Sequence, residues 1–167
     1  IYPKQERALR DLLRRRLLLV RQRSLHHVSL QSLLARHSGQ RLNTRQIKTL
    51  MPEQLADYLQ GHALLNGEIT YQARCWLDRA VMRVEQELRQ QIHPREDYQL
   101  LQSVPGIGAI LGTTIALETG TIERFASAGN YASYARCVKS EKISNGKRKG
   151  QGNKKNGNKY LAWAFME

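Results

Sequence analysis

A serine set among cations and glycines is the stretch of this 167-residue chain whose residue types suit covalent chemistry on a phosphodiester. In Ser140-Glu141-Lys142-Ile143-Ser144-Asn145-Gly146-Lys147-Arg148-Lys149-Gly150 a hydroxyl can attack phosphorus while Lys and Arg neutralise the non-bridging oxygens. A solvated basic loop in which serine only caps a turn fits the same letters, and on local sequence alone it is the plainer reading. Acid-based chemistry has little support. A two-metal nuclease needs several converging carboxylates. Here Glu85, Glu87, Glu96 and Asp97 read as solvent-facing helix charges, and Glu118 and Glu123 flank a turn with no third partner. His26, His27, His37, His62 and His93 show no metal-ligand spacing. Cys75 and Cys137 match neither a disulfide framework nor a zinc pattern, so a reducing compartment is the default. No metal or cofactor site is expected in this chain.

The sharpest local motif is Leu101-Gln102-Ser103-Val104-Pro105-Gly106-Ile107-Gly108. An apolar-Pro-Gly-apolar-Gly turn between two helical patterns is the mark of a helix-hairpin-helix element. Its glycines allow a tight turn, and backbone N–H groups at the start of the following helix can then face a phosphate. Pro105, Gly106, Ile107 and Gly108 would position DNA without reading its sequence. An ordinary Pro-Gly turn is the competing reading. Tyr131 and Tyr134 could stack a base, but helix packing suits them better, and Trp76 and Trp163 read as core or interface.

Charge points the same way. Lys and Arg number 27 against 14 Asp and Glu, a formal net charge of +13. A polyanion, DNA or RNA, explains that excess best, with an acidic protein partner or an anionic membrane surface behind it. Residues 4–23 carry Lys4, Arg7, Arg10, Arg14, Arg15, Arg16, Arg21 and Arg23 against Glu6 and Asp11, while residues 139–159 carry eight Lys and Arg, including Lys154 and Lys155, against Glu141. No apolar run approaches the roughly 20 residues of a membrane-spanning helix, and no secretory signal opens the chain. Its first residue is not Met, and its ends read as interrupted structure, so a piece of a longer protein is expected.

The elements that must position these groups are mainly α. Leu9, Leu12, Leu13, Leu17, Val20, Leu25, Val28 and Leu33 mark a long helix ending at Ser38-Gly39, and a second runs from about Glu68 to Ile92 before His93-Pro94. Asn43-Thr44 and Pro52 open short helices between them, the second ended by Gly61. The expected architecture is a long antiparallel, coiled-coil-like helical arm over 1–94, followed at 95–167 by a small helical domain. In the latter, helices over 109–119 and 128–135 and one opening at Tyr160 flank an exposed, mobile basic loop from Lys139 to Asn158.

Leu100 to Phe165 resembles the carboxy-terminal domain of bacterial insertion-sequence transposases of the DEDD type, the bridge-RNA-guided recombinases. The pieces are Leu101 to Gly108, Glu118-Thr119-Gly120, Arg124-Phe125, Tyr131-Ala132-Ser133-Tyr134, Ser144-Asn145-Gly146-Lys147 and Asn156-Gly157-Asn158-Lys159-Tyr160-Leu161. Pro3 to Leu34 is similar to the same family's arginine-rich helix. The resemblance implies a serine nucleophile at Ser144, with Ser140 a second candidate because Arg136-Cys137-Val138-Lys139 departs from the family's Gly-Leu-Val-Pro. It further implies an acidic RuvC-like domain, absent from this chain, that binds Mg²⁺ in the full-length enzyme and without which this chain is inactive. The implied partners are DNA, a guide (bridge) RNA and further copies of the chain joined through the arm, with no membrane, in the nucleoid-associated bacterial cytoplasm. Lys142, Lys147, Arg148, Lys149, Lys154, Lys155, Arg14, Arg15 and Arg16 are the expected nucleic-acid contacts. A non-catalytic helix-hairpin-helix module binding DNA or RNA is the alternative, and a coiled-coil scaffold for acidic proteins is a third.

Overall fold

The computed structural model describes Lys4 and residues 6–138, 141–151 and 156–167, with residues 141–143 and 148–151 described by their backbone. It divides into two compact units, residues 12–87, and residues 88–167 with 1–11. Among the described residues no helix is long and apolar enough to cross a membrane.

In the first unit the leucine stripe forms α1 (Arg7–Ser38), and the second long pattern forms α3 (Gly61–Ile92). They run antiparallel: Arg16 reaches Glu85 at 2.7 Å, and Arg23, farther along α1, reaches Asp78, earlier on α3, at 3.3 Å. Leu19 packs with Leu77 and Val81 in the same layer. Glu85, expected as a surface charge, is therefore an ion-pair partner. At the other end of the unit Leu30, Leu33 and Leu34 close on Ile47, Leu55 and Leu59. These last three come from α2 (Thr44–Thr49) and the 3₁₀ segment Pro52–Asp57 with the turn after it. Asn43 caps α2 reciprocally with Gln46, each side chain accepting the other's backbone N–H.

Helix α3 begins at Gly61 rather than near Glu68, and Gly61 opens it instead of ending its predecessor. Two glycines and an asparagine make 61–67 a poor helix former by propensity. Packing overrides it: Ala63 and Leu64 lie on the Leu30–Leu59 core, and a Cβ at Gly67 would stand 2.5 Å from Leu59 Cδ1.

The second unit is built around α5 (Ala109–Thr119), whose residues 112–119 are all buried. Against it lie α4 (Glu96–Gln102) and α7 (Lys159–Ala164), with α6 (Ala128–Tyr134) contributing Tyr131 and Tyr134 to the shared core of Ile115, Ala135, Leu161 and Ala164. Arg95 anchors the entry to α4, bonding Glu6 at 3.1 Å and Asp97 at 2.8 Å. Its guanidinium holds the Asp97 carboxyl below the usual carboxylate range.

The basic stretch is not a plain loop. β1 (Glu141–Ser144) pairs antiparallel with β2 (Lys147–Gln151) in register Ser144↔Lys147 and Ile143↔Arg148, with an irregularity nearer the base. Asn145 and Gly146 form the turn at φ 55° and 71°. Asn-Gly is a favoured pair for a two-residue hairpin, because both central residues must take positive φ. Composition, dominated by lysine and glycine, concealed that local signal.

The two cores and the exposed arm surface respond differently to truncation. Leu30→Ala, at a fully buried site, lowers unfolding stability by about 2–5 kcal/mol. Leu25→Ala, at a side chain 70% exposed, changes it by no more than about 0.5 kcal/mol. Urea unfolding followed by helical circular dichroism measures both.

Candidate nucleic-acid interface

The Pro-Gly motif folds into a tight turn. Ile107 N donates to Val104 O at 3.1 Å across Pro105 and Gly106, and Gly106 sits at φ 91°. Proline at the second position and glycine with positive φ at the third define a type II turn. Gln102 Nε2 donates to Ile107 O at 3.1 Å and fastens the turn to the end of α4. A Cβ at Gly112 would lie 2.6 Å from that same Nε2 and 3.2 Å from the Tyr98 ring, so glycine lets α4 and α5 approach. Gly108 is the N-cap of α5, in extended conformation, and its carbonyl accepts from Gly112 N at 2.9 Å. The first amides of α5 therefore have no intrahelical acceptor. A Cβ at Gly106 or Gly108 would meet nothing within 4 Å, so this backbone corner is open to a phosphate oxygen.

Ser144 ends β1 at the tip of the hairpin. Ser144, Asn145, Gly146 and Lys147 are all exposed. Ser144 and Lys147 are cross-strand partners, and such partners share one face of the ladder. A hydroxyl and an ammonium are thus presented side by side at an open tip.

The ends of α6 and α7 are joined by a polar network. Glu118 is fully buried on α5, and Asn158 Nδ2 donates to its Oε2 at 2.7 Å. Asn158 Nδ2 also lies 3.3 Å from Tyr134 Oη, while its Oδ1 accepts from Tyr160 N and Leu161 N at the start of α7. Asn158 N donates to Tyr134 O at 2.6 Å. Tyr131 Oη and Thr119 Oγ1 bond at 2.9 Å, and burial pushes the Tyr131 phenol above its ordinary value. Arg124 lies over the Phe125 and Tyr134 rings, at 4.4 and 4.7 Å from their centroids.

Residues 98–167 match the model of the transposase family IS116/IS110/IS902. The match supports an insertion-sequence transposase, and it spans the turn, Glu118, Ser144 and Asn158. No curated protein matches the chain.

Within the transposase-like stretch the expected residues are distributed unevenly. Pro105, Gly106, Ile107 and Gly108 share the turn, and Ser144 shares the hairpin tip with Lys147. Lys142, Arg148 and Lys149 lie on the strands, but their side chains are outside the described residues, as are Ser140, Lys154 and Lys155 altogether. On α1, Arg15 is exposed, Arg14 is half-buried, and Arg16 is engaged by Glu85. Tyr131 and Tyr134 pack against Phe125, with Tyr131 also edge-on to Phe165. Among the described residues no group of His, Cys, Asp and Glu could hold a metal ion.

Glu118, Asn158 and Arg136 were not among the site residues read from sequence. Glu118, read as flanking a turn, does precede the Gly120 turn but is fully buried. The available signal was Asn156-Gly157-Asn158 ahead of an apolar run, an N-cap signature. A carboxylate at the buried end of α5 has no such mark.

Loss of the network should cost stability in this unit. Asn158→Ala removes the α7 cap, about 1 kcal/mol, and strips a donor from a buried carboxylate, a further 1–3 kcal/mol or so. Gly157→Ala is expected to destabilise as well, since its Cβ would stand 2.6 Å from Tyr134 O at φ 84°. Urea unfolding followed by Trp163 fluorescence in a Trp76→Phe background reports on both.

Proposed function

We propose that this chain supplies the DNA-joining part of an insertion-sequence transposase, with Ser144 as the nucleophile. The observation that carries this reading is Ser144, exposed and paired across the ladder with Lys147 at the hairpin tip, inside the residues that match a transposase family. In the proposed step Ser144 Oγ bonds to phosphorus as the phosphorus–oxygen bond to one deoxyribose breaks. The serine gives up its proton, and the freed deoxyribose oxygen takes one. Reversal onto another strand end restores the serine and rejoins the DNA, so phosphoester energy is conserved.

Lys147 neutralises a non-bridging oxygen as charge builds in the transition state. Lys142, Arg148, Lys149, Lys154 and Lys155 extend the same cationic strip along the sequence. The α5 amides behind Pro105–Gly108 hold a second phosphate and fix the duplex without reading bases. Arg14 and Arg15 offer charge on the arm for a guide RNA, and further copies of the chain assemble through that arm. Among the described residues no group could hold Mg²⁺; an acidic RuvC-like domain, which the resemblance implies, would supply that chemistry.

The decisive experiment incubates this chain, together with its acidic domain, with end DNA, guide RNA and Mg²⁺. A covalent serine–DNA adduct is expected, and Ser144→Ala abolishes it. An adduct that survives Ser144→Ala refutes the assignment and transfers attention to Ser140. Tight binding with no adduct in the unsubstituted protein leaves a non-catalytic helix-hairpin-helix module as the correct reading.

Binding itself has a quantitative signature. Lys147→Gln weakens duplex affinity uniformly across sequences and lowers the salt-dependence slope by about one contact. A fluorescence-anisotropy titration across a salt series measures it.

A further inference from the structure

Arg136 occupies an unusual position between α6 and the hairpin. Its backbone sits at φ 61°, the left-handed conformation of a Schellman helix end: Cys137 N donates to Ala132 O at 2.9 Å and Arg136 N to Ser133 O at 3.1 Å, closing α6. Its side chain makes a clasp. Arg136 Nε donates to Asn156 O at 2.8 Å, and its Nη2 donates to Gly157 O at 3.2 Å. One guanidinium therefore joins the segment leaving α6 to the segment that enters α7.

A neighbouring contact joins the same two segments: Asn158 N donates to Tyr134 O. Gly157 at φ 84° allows the approach, since a Cβ there would stand 3.0 Å from Arg136 Cγ as well as against the Tyr134 carbonyl. The hairpin above this base has two strands, and an isolated two-stranded ribbon is marginally stable in water. Fixing its ends reduces the conformations open to the tip and hence the entropy lost when Ser144 is aligned.

We infer that Arg136 is a positioning residue for Ser144: it holds the base of the β1–β2 hairpin shut and so orients the tip, without itself touching DNA. This rests on the reading of Ser144 as nucleophile. The role differs from that of the tip lysines, whose charge must face the phosphates. Arg136 instead donates from two guanidinium nitrogens to the main-chain carbonyls of Asn156 and Gly157, which a lysine cannot reproduce because its single ammonium lacks the planar fork.

The test compares Arg136→Gln and Arg136→Lys with the unsubstituted protein in three measurements. Trypsin cleavage after Lys147, read by mass spectrometry, is expected to accelerate about tenfold in both variants, while α5 amides keep their hydrogen-exchange protection and certify the fold. Duplex affinity at fixed salt is expected to stay within about twofold, with an unchanged salt slope. Adduct formation at saturating DNA is expected to fall by about tenfold to hundredfold, the penalty of a misplaced reacting group.

A salt slope reduced by about one contact in Arg136→Gln but not in Arg136→Lys makes Arg136 a phosphate contact and overturns the proposal. Unchanged cleavage after Lys147 overturns it equally, as does full adduct formation in Arg136→Lys. Failure of the underlying reading looks different: the adduct survives Ser144→Ala, whatever the trypsin result.

Discussion

A carboxylate taken wholly out of water has to be met by donors, and Glu118 sets that requirement at the centre of the transposase-like unit. Asn158 answers it at 2.7 Å while its other amide atom caps α7. A single side chain thereby links the buried end of α5 to the start of α7 and, through Tyr134, to α6. Removing Asn158 takes away a donor to the buried carboxylate and the cap of α7 at once, which is costlier than either bond is favourable. The arrangement fixes where the chain re-enters the core after the hairpin.

That constraint lies next in sequence to the exposed tip on which Ser144 is proposed to act. The hairpin sequence is rich in like charges and poor in apolar residues. The Asn145-Gly146 turn closes its tip, and Arg136, Gly157 and Asn158 make their contacts on the segments that flank it in sequence. The turn at Pro105–Gly108 follows the same plan. Gln102 and Gly112 secure it from behind, and the outward backbone is left bare. In both places the anchoring groups are internal and the polar groups proposed to meet DNA face solvent.

The arm shows that net charge overstates what a polyanion can use. Arg16 and Arg23 are engaged by Glu85 and Asp78, and Arg74 pairs with Asp78 at 3.7 Å beneath the surface while lying over the Tyr71 ring. These ions help set which residues of α1 and α3 stand opposite one another. Arg15 and Arg21 are exposed beside them in sequence. His27, close to this cluster, has its imidazole pKa lowered by burial first and then by Arg74 and Lys48.

Periodicity and turn chemistry in the sequence were enough to determine the helical class, the long α1, the capped α2, and the break and restart around Pro105. Each depends on residues within a few positions of one another, where backbone sterics and capping act directly. The resemblance, not periodicity, singled out Ser144. Tertiary structure decided the rest. Gly61 to Gly67 became helix because Leu33, Leu59 and Leu64 needed burial there, against local propensity. Glu118 became a buried anchor, Glu85 an ion-pair partner and Arg136 a clasp because residues distant in sequence came to face them. No local pattern encodes such partners: the desolvation that gives each contact its weight exists only after the helices have packed.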